Sequence, residues 1–238
     1  MIRCIRMSNI LITGGAKGIG AAVARRAAKV YEHVYIIDNN VKLGEKTASG
    51  IKNATFLCAD VASVRQLNTT FKGIDQLGAA VNCAGILGPF SKLTEYSYKD
   101  WQRVWDVNVF GVFLCLQHEI KLMKKGARGV IVNVSSVSAL KMHTMDVGAY
   151  VTSKYAVNGL TEYASAENPQ IQIIAICPDG VDTDMQRQLH RSSPITGDAE
   201  GANLGWVADL IIRMASGVPD SFNGKYLTQE EWYRILMK

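Results

Sequence analysis

Long hydrophobic runs are missing from this sequence: no apolar stretch approaches the ~20 residues that a membrane-spanning helix needs. A membrane role therefore has no anchor in the chain. Proline is scarce, five in 238 residues, and no repeat, low-complexity stretch or proline-rich linker divides the sequence. One domain over residues 1–238 is expected. Positive charge is nowhere concentrated: the net charge is +5, but Lys and Arg are scattered, so a nucleic-acid partner has no electrostatic footprint. Metal-ligand spacings are absent too. Cys4, Cys58, Cys83, Cys115 and Cys177 stand far apart, and His33, His118, His143 and His190 stand singly, so no metal is expected. Cysteines that are odd in number and mostly inside apolar runs read as buried reduced thiols, which implies a cytoplasmic chain rather than a disulfide scaffold. Arg3 and Arg6 stand near the start, but the apolar stretch after them flows straight into a glycine loop. Cleavage there would destroy the first strand, so no targeting segment is read.

What is present is 48% hydrophobic sequence, enough for a large core. Strand-like runs rich in branched residues recur at 10–13, 33–38, 55–59, 79–82, 129–135, 171–177 and 225–228, with helix-length segments between them. That alternation predicts an α/β fold with a parallel sheet covered on both faces. In such sheets ligands sit at the carboxyl ends of the strands, where the strand order reverses.

The first strand breaks into Thr13-Gly14-Gly15-Ala16-Lys17-Gly18-Ile19-Gly20, followed by the helix formers of Ala21 to Lys29. A strand entering a helix through glycines lets a pyrophosphate approach the unpaired N–H groups of the helix start. The second strand ends in Asp38, eighteen residues past Gly20. A carboxylate there can accept both adenosine ribose hydroxyls and repel a 2′-phosphate, which favours NAD over NADP. Lys17 is the counter-signal, and an ordinary turn acid before Asn39-Asn40 is the plain alternative for Asp38. The third strand runs into Asp60-Val61 and the fourth into Asn82-Cys83-Ala84-Gly85, small residues that suit either a flat ring or a simple turn.

Ser97 with Asp100 three later predicts the N-cap of one long helix reaching about Lys125, stopped by Gly126. Asn108 falls inside it among apolar neighbours, where an Asn competes with the backbone and needs a reason. Tyr150 lies fourteen residues after Ser136, and Lys154 follows four later on the same helix face. The candidate pocket walls are Leu87, Ser138, Leu140, Met142, Val147 and a mobile lid over 184–204. The lid's Gln186, Arg187, Gln188, His190 and Arg191 speak against a wholly apolar ligand such as a steroid, and Gly197 and Gly201 would let it move.

This order of motifs resembles the short-chain dehydrogenase/reductase family over nearly the whole chain. The family's Thr-Gly-x-x-x-Gly-x-Gly matches Thr13 to Gly20, its Asn-x-Ala-Gly matches Asn82 to Gly85, and its Tyr-x-x-x-Lys matches Tyr150 to Lys154. Its helix Asn is Asn108 and its serine is Ser136 in Asn133-Val134-Ser135-Ser136. The resemblance implies a Rossmann-like doubly wound sheet of about seven mostly parallel strands, assembled as a homotetramer or dimer. It also implies hydride transfer between NAD(H) and a small secondary alcohol or ketone. Asn108, Ser136, Tyr150 and Lys154 would be catalytic. Gly14, Lys17, Gly18, Ile19, Gly20, Asp38, Asp60, Val61, Asn82, Ala84, Gly85, Tyr150, Lys154, Pro178, Val181 and Thr183 would bind the cofactor. Ser136, Ser138, Leu140 and Tyr150 would meet the substrate.

Some features depart from the family pattern. The Ser136–Tyr150 loop is one residue longer than the family's common spacing, which leaves Ser138 as an outside candidate for the serine role. Pro178-Asp179-Gly180 places an acid where the nicotinamide should lie, and Glu167-Asn168-Pro169 predicts a short helix before the sixth strand. The alternatives are an NADPH-dependent 3-oxoacyl-thioester reductase and a cofactor-sensing binding protein without turnover.

Overall fold

The computed structural model describes residues 8–124, 129–141, 145–192 and 203–237. Strands β1 (Ile10–Thr13), β2 (Val34–Asp38), β3 (Ala54–Cys58), β4 (Ala79–Asn82), β5 (Gly129–Val134), β6 (Ile171–Cys177) and β7 (Tyr226–Thr228) form one sheet. Their order is β3-β2-β1-β4-β5-β6-β7 and every pairing is parallel. Each strand lies within one residue of its sequence-predicted bounds. The helices between them are α1 (Gly18–Ala27), α2 (Val41–Ser49), α3 (Val64–Thr70), α4 (Tyr98–Trp105), α5 (Gly111–Met123), α6 (Gly148–Glu167), α7 (Asp184–Ser192), α8 (Leu204–Ala215) and α9 (Gln229–Leu236).

Successive residues of a strand point to opposite faces, and here both faces are apolar. Ile10, Ile12, Val81, Val132 and Ile174 face a layer containing Ala24 of α1, Ile211 of α8 and Trp232 of α9. Leu11, Ala80, Ile131 and Ile173 face the other layer, with Leu67 of α3, Leu116 of α5 and Val157 of α6. Burial on both sides is why the strands read as continuous branched runs rather than alternating ones.

The segment after Ser97 differs from the expected single helix. Ser97 does cap it, its Oγ accepting from Asp100 N at 3.1 Å. Between α4 and α5, however, Asp106–Phe110 form a π-helical turn. The wider turn carries Val107, Asn108 and Val109 into the interior together. Lys125 and Gly126 lie outside the described residues. The helix before β6 ends at Glu167 as expected but is twenty residues long, not short. Of the lid expected at 184–204, α7 and the start of α8 are described, with Asn203 Oδ1 capping α8; 193–202 lie outside the described residues, as does Met142. Among the described residues no helix is long and apolar enough to cross a membrane.

The C-terminal helix is locked to the sheet through one residue. Thr228 and Glu231 form a capping box that starts α9. Trp232 is fully buried and its Nε1 donates to Ala175 O of β6 at 2.8 Å. Trp232→Ala should lower the free energy of unfolding by about 3–5 kcal/mol, read by urea denaturation.

Candidate active site

β1 and β4 are neighbours whose chains leave in opposite directions across the sheet, so a crevice opens between their carboxyl ends. Thr13 Oγ1 closes its floor by accepting from Cys83 N at 3.2 Å and Ala84 N at 3.3 Å. Gly14 has φ +67°, and a Cβ there would lie 2.7 Å from Ala84 Cα; only glycine allows both the conformation and the contact. A Cβ on Gly20 would lie 2.3 Å from Gly14 O, so this glycine lets α1 start against the loop. Gly18, with φ +55°, faces Thr183 of the segment after β6, and Ile19 packs against the core.

The opening of α1 carries no side-chain cap and no acid in its first turn. Its amides and partial positive charge are thus left for an anion, the requirement of a dinucleotide pyrophosphate. Asp38 at the end of β2 is held by the backbone around it: its Oδ2 accepts from Ala16 N at 3.0 Å and its Oδ1 from Asn40 N at 2.9 Å. Lys17 is turned elsewhere: its Nζ lies 3.7 Å from Asp184 Oδ2 of α7, both groups exposed. The Arg187 guanidinium, and then Lys17, hold the Asp184 carboxyl below its usual range. Asp60 receives Ala62 N and Arg103 Nη2, each at 2.9 Å, and Val61 packs under Gly111.

Asn82 does not face the crevice. It is buried, and both hydrogens of its amide go inward, to Glu119 Oε2 and Asn133 Oδ1 at 3.0 Å each. Any contact from Asn82 to a ligand falls to its backbone. Pro178 is buried with its carbonyl receiving Val137 N at 3.0 Å, and Val181 is buried beside it. Thr183 Oγ1 donates to Val181 O at 3.2 Å. Asp179 is exposed, and Gln229 grips its backbone at both ends, accepting from N at 3.3 Å and donating to O at 3.2 Å.

Past the floor, α6 brings Tyr150 and Lys154 against the end of β5. Lys154 is only 6% exposed; its Nζ donates to Val134 O at 2.8 Å and lies 5.7 Å from the centre of the Tyr150 ring. Burial lowers the lysine to about 8, so the ammonium persists at neutral pH. Burial also raises the Tyr150 phenol above its usual value, while its hydrogen bond with the Ser136 side chain works the other way. Ser136 Oγ also accepts from Ser138 N at 3.2 Å. Ser136 is thus a serine that bonds the phenol, while Ser138 is buried nearby in sequence and Leu140 is exposed.

The π turn presents Asn108 to the same place. Its Nδ2 donates to Ile86 O at 2.9 Å and Ser153 Oγ at 3.0 Å, and its Oδ1 accepts from Ile86 N at 2.8 Å. A Cβ on Gly85 would lie 3.3 Å from Asn108 Oδ1 and 3.6 Å from Lys154 Nζ. Asn108 therefore pins the loop after β4 beside the lysine.

Several contributors escape the sequence reading. Ser153 holds Asn108, and Cys83 and Cys177 sit close enough to feel the Lys154 charge, burial pushing each thiol up to about 11. α7 is also less polar toward the site than its composition suggests. Leu87, Val147, Tyr150, Val151 and Leu189 form one cluster, with Phe90 and Met185 packed on it. Met185 and Leu189 are one helical turn apart, so α7 puts apolar side chains toward Tyr150 while Arg187 turns out to solvent. That i, i+4 pair is the available signal, and it sets an apolar face of α7 against the polar composition that spoke against an apolar ligand.

The model of the short chain dehydrogenase family matches residues 8–193. A 3beta-hydroxysteroid dehydrogenase of Mediterraneibacter gnavus is 35% identical over 237 residues, covering 93% of this chain and 84% of that one. The structure is similar to that of a 3-oxoacyl-(acyl-carrier protein) reductase from Brucella melitensis, with TM-score 0.83 and 27% identity over 94% of this chain and 90% of that one. A structure from Escherichia coli CFT073, complexed with NADPH, shares the fold at TM-score 0.85 and 22% identity, covering 94% and 97%.

Removing the Asn108 side chain should strand Ile86 N and Ile86 O without partners and leave Ser153 Oγ with its bond to Tyr150 O alone. Asn108→Ala is expected to lower the free energy of unfolding by about 2–4 kcal/mol in urea denaturation.

Proposed function

This chain belongs to the short-chain dehydrogenases, oxidoreductases acting on hydroxyl groups, and we propose that within them it interconverts a secondary alcohol and its ketone using NAD(H). The observation that carries this reading is the buried Ser136–Tyr150–Lys154 cluster at the crevice end, within the apolar wall of Leu87, Phe90, Met185 and Leu189. The bound nicotinamide would supply or accept the hydride. The protein's own groups handle the proton. Tyr150 takes it from the substrate hydroxyl, and the Lys154 ammonium favours the phenolate that does so. Ser136 holds the substrate oxygen as charge develops on it.

Lys154 has two hydrogens beyond the one given to Val134 O, and these are assigned to the nicotinamide ribose. Asn108 spends both amide hydrogens on Ile86 and Ser153. A water leading to Lys154 would therefore be held by its backbone carbonyl, and its side chain serves to place the loop. The cofactor rests on Gly14, Gly18, Ile19, Gly20, Val61, Ala84, Gly85, Pro178, Val181 and Thr183, with Asp38 at the adenosine ribose and Asp60 at the adenine. The NAD reading is supported by Asp38 at the end of β2, which would face that ribose, and by Lys17 pairing with Asp184 instead.

The substrate reads as a small secondary alcohol whose body is apolar around the carbinol carbon. A 3-oxoacyl thioester is the second reading, supported by the similarity to the Brucella melitensis reductase; higher activity with NADPH and an oxoacyl thioester than with NAD and cyclic alcohols would select it. Exposed Phe110, Phe113 and Tyr155 on the π turn, α5 and α6 favour a homo-oligomer. Free Cys58, Cys83, Cys115 and Cys177 favour a cytoplasmic setting.

Tyr150→Phe should cut turnover by about 10²–10⁴-fold while leaving dinucleotide affinity nearly unchanged, measured by reduced-cofactor absorbance and by titration. Full turnover in that variant, or dinucleotide binding with no turnover of any alcohol or ketone by the wild type, would overturn the assignment. Asp38→Ala should narrow the preference for NAD over NADP by about tenfold or more in kcat/KM, since it removes a charge facing the 2′-phosphate.

A further inference from the structure

Behind β4 lies a polar feature that the chemistry above does not use. Glu119 of α5 is fully buried, and its Oε2 accepts from Asn82 Nδ2 at 3.0 Å. The other hydrogen of that amide goes to Asn133 Oδ1 at 3.0 Å, Asn133 Nδ2 donates to Thr161 Oγ1 at 2.9 Å, and Thr161 donates to Val157 O at 2.8 Å. The series has one direction. Thr161 gives its only hydrogen to Val157, so it must accept from Asn133, and this fixes which atom of each amide is oxygen.

Two acceptors are then left over. Asn82 Oδ1 and Glu119 Oε1 are both buried, and neither has a partner. An ionised Glu119 would bury a full charge with a neutral amide as its donor, while the carbonyl oxygen of that same amide also lacks a hydrogen. A single hydrogen on Oε1 removes both defects.

We propose that Glu119 is a neutral carboxylic acid in the folded protein, donating from Oε1 to Asn82 Oδ1, and that this pairing holds the end of β4 in place. Burial pushes its carboxyl up to about 8, in agreement. The groups around it do not compete for the proton. β4 presents Asn82, β5 presents Asn133 and α6 presents Thr161, none of which titrates; Leu67 of α3 and Phe71 just after it are apolar. On its own helix the neighbour is Cys115, a thiol that burial and then Glu119 push well above its usual range.

The end of β4 is the crevice floor. Cys83 and Ala84 donate to Thr13 there, and Ile86 exchanges hydrogen bonds with Asn108. Glu119 is accordingly a positioning residue. Its relevance to dinucleotide binding rests on the function proposed above, whereas its protonation does not.

The sign of the pH effect follows from a folded value above the ordinary 4.5. Glu119's contribution is fully present below the unfolded value and is lost as pH rises through about 8. Glu119→Gln offers a donor and an acceptor in the same place and imitates the neutral acid; Glu119→Ala offers neither.

The test uses the whole chain without cofactor. Wild-type infrared spectra at about pH 6 should show the C=O stretch of a buried carboxylic acid, absent from E119Q, and lost by about pH 9. Between about pH 5 and 9 the urea midpoint of the wild type should fall further than that of E119Q. Exchange protection at Cys83, Ala84 and Ile86, corrected for intrinsic rates, should drop about tenfold in the wild type across about pH 7 to 9, and in Glu119→Ala at any pH, while E119Q holds its protection. No acid band, as expected if a water bridges an ionised Glu119, or identical pH courses for wild type and E119Q, would overturn the protonation. The band with unmoved protection at those three amides would overturn the positioning role. None of these readouts uses a dinucleotide, so a chain that bound none would defeat the proposed function and leave this inference to be decided on its own measurements.

Discussion

A buried ammonium is the constraint on which the crevice depends. Lys154 loses most of its hydration and donates to Val134 O at the end of β5. Desolvation drives its proton affinity down, but to about 8 and no further, so the charge survives where a phenol 5.7 Å away can use it. In a site of low dielectric such a charge acts more strongly than it would in water. The same lysine lies against the loop after β4, where a Cβ on Gly85 would touch Nζ at 3.6 Å and press on Asn108 Oδ1 at 3.3 Å.

Around that charge the two central strands are tied at their ends. Thr13 at the tip of β1 holds Cys83 and Ala84 beyond β4, and Gly14 is free of a Cβ where those backbones touch. Asn108 then fastens the next residue, Ile86, from across the crevice. A regular helix from α4 through α5 would have no extra residue in its turn; the π turn at Asp106–Phe110 supplies one, a device that recurs at functional sites. Floor, wall and charge are thus one connected hydrogen-bonded unit, with Glu119 and Asn82 beneath it.

The sheet was legible because its signal is local. Ile10–Thr13, Ala79–Asn82 and Ile171–Cys177 occupy their predicted spans; runs of branched residues bounded by glycine, proline and polar residues need no distant partner to be recognised. The candidate site was legible to the extent that motifs on separate elements are carried to one end of a parallel sheet by its topology. The long helix was misread at Asn108 because a π turn leaves no mark in propensity. The polar composition of α7 hid Met185 and Leu189, since which residues of a helix face inward is set by rotation about its axis and not by composition.

By itself, the sequence determined the alternation of strand and helix, the glycine turn into α1, and the sharing of one helix face by Tyr150 and Lys154, all consequences of backbone sterics and helical period acting over a few residues. Only the tertiary structure decided that Lys17 pairs with Asp184, that Asn82 turns its amide inward to Glu119, and that Ser136 meets the phenol. These are choices among hydrogen-bond and charge partners from different elements. They depend on which groups packing removes from water together, a quantity that no local stretch of sequence contains.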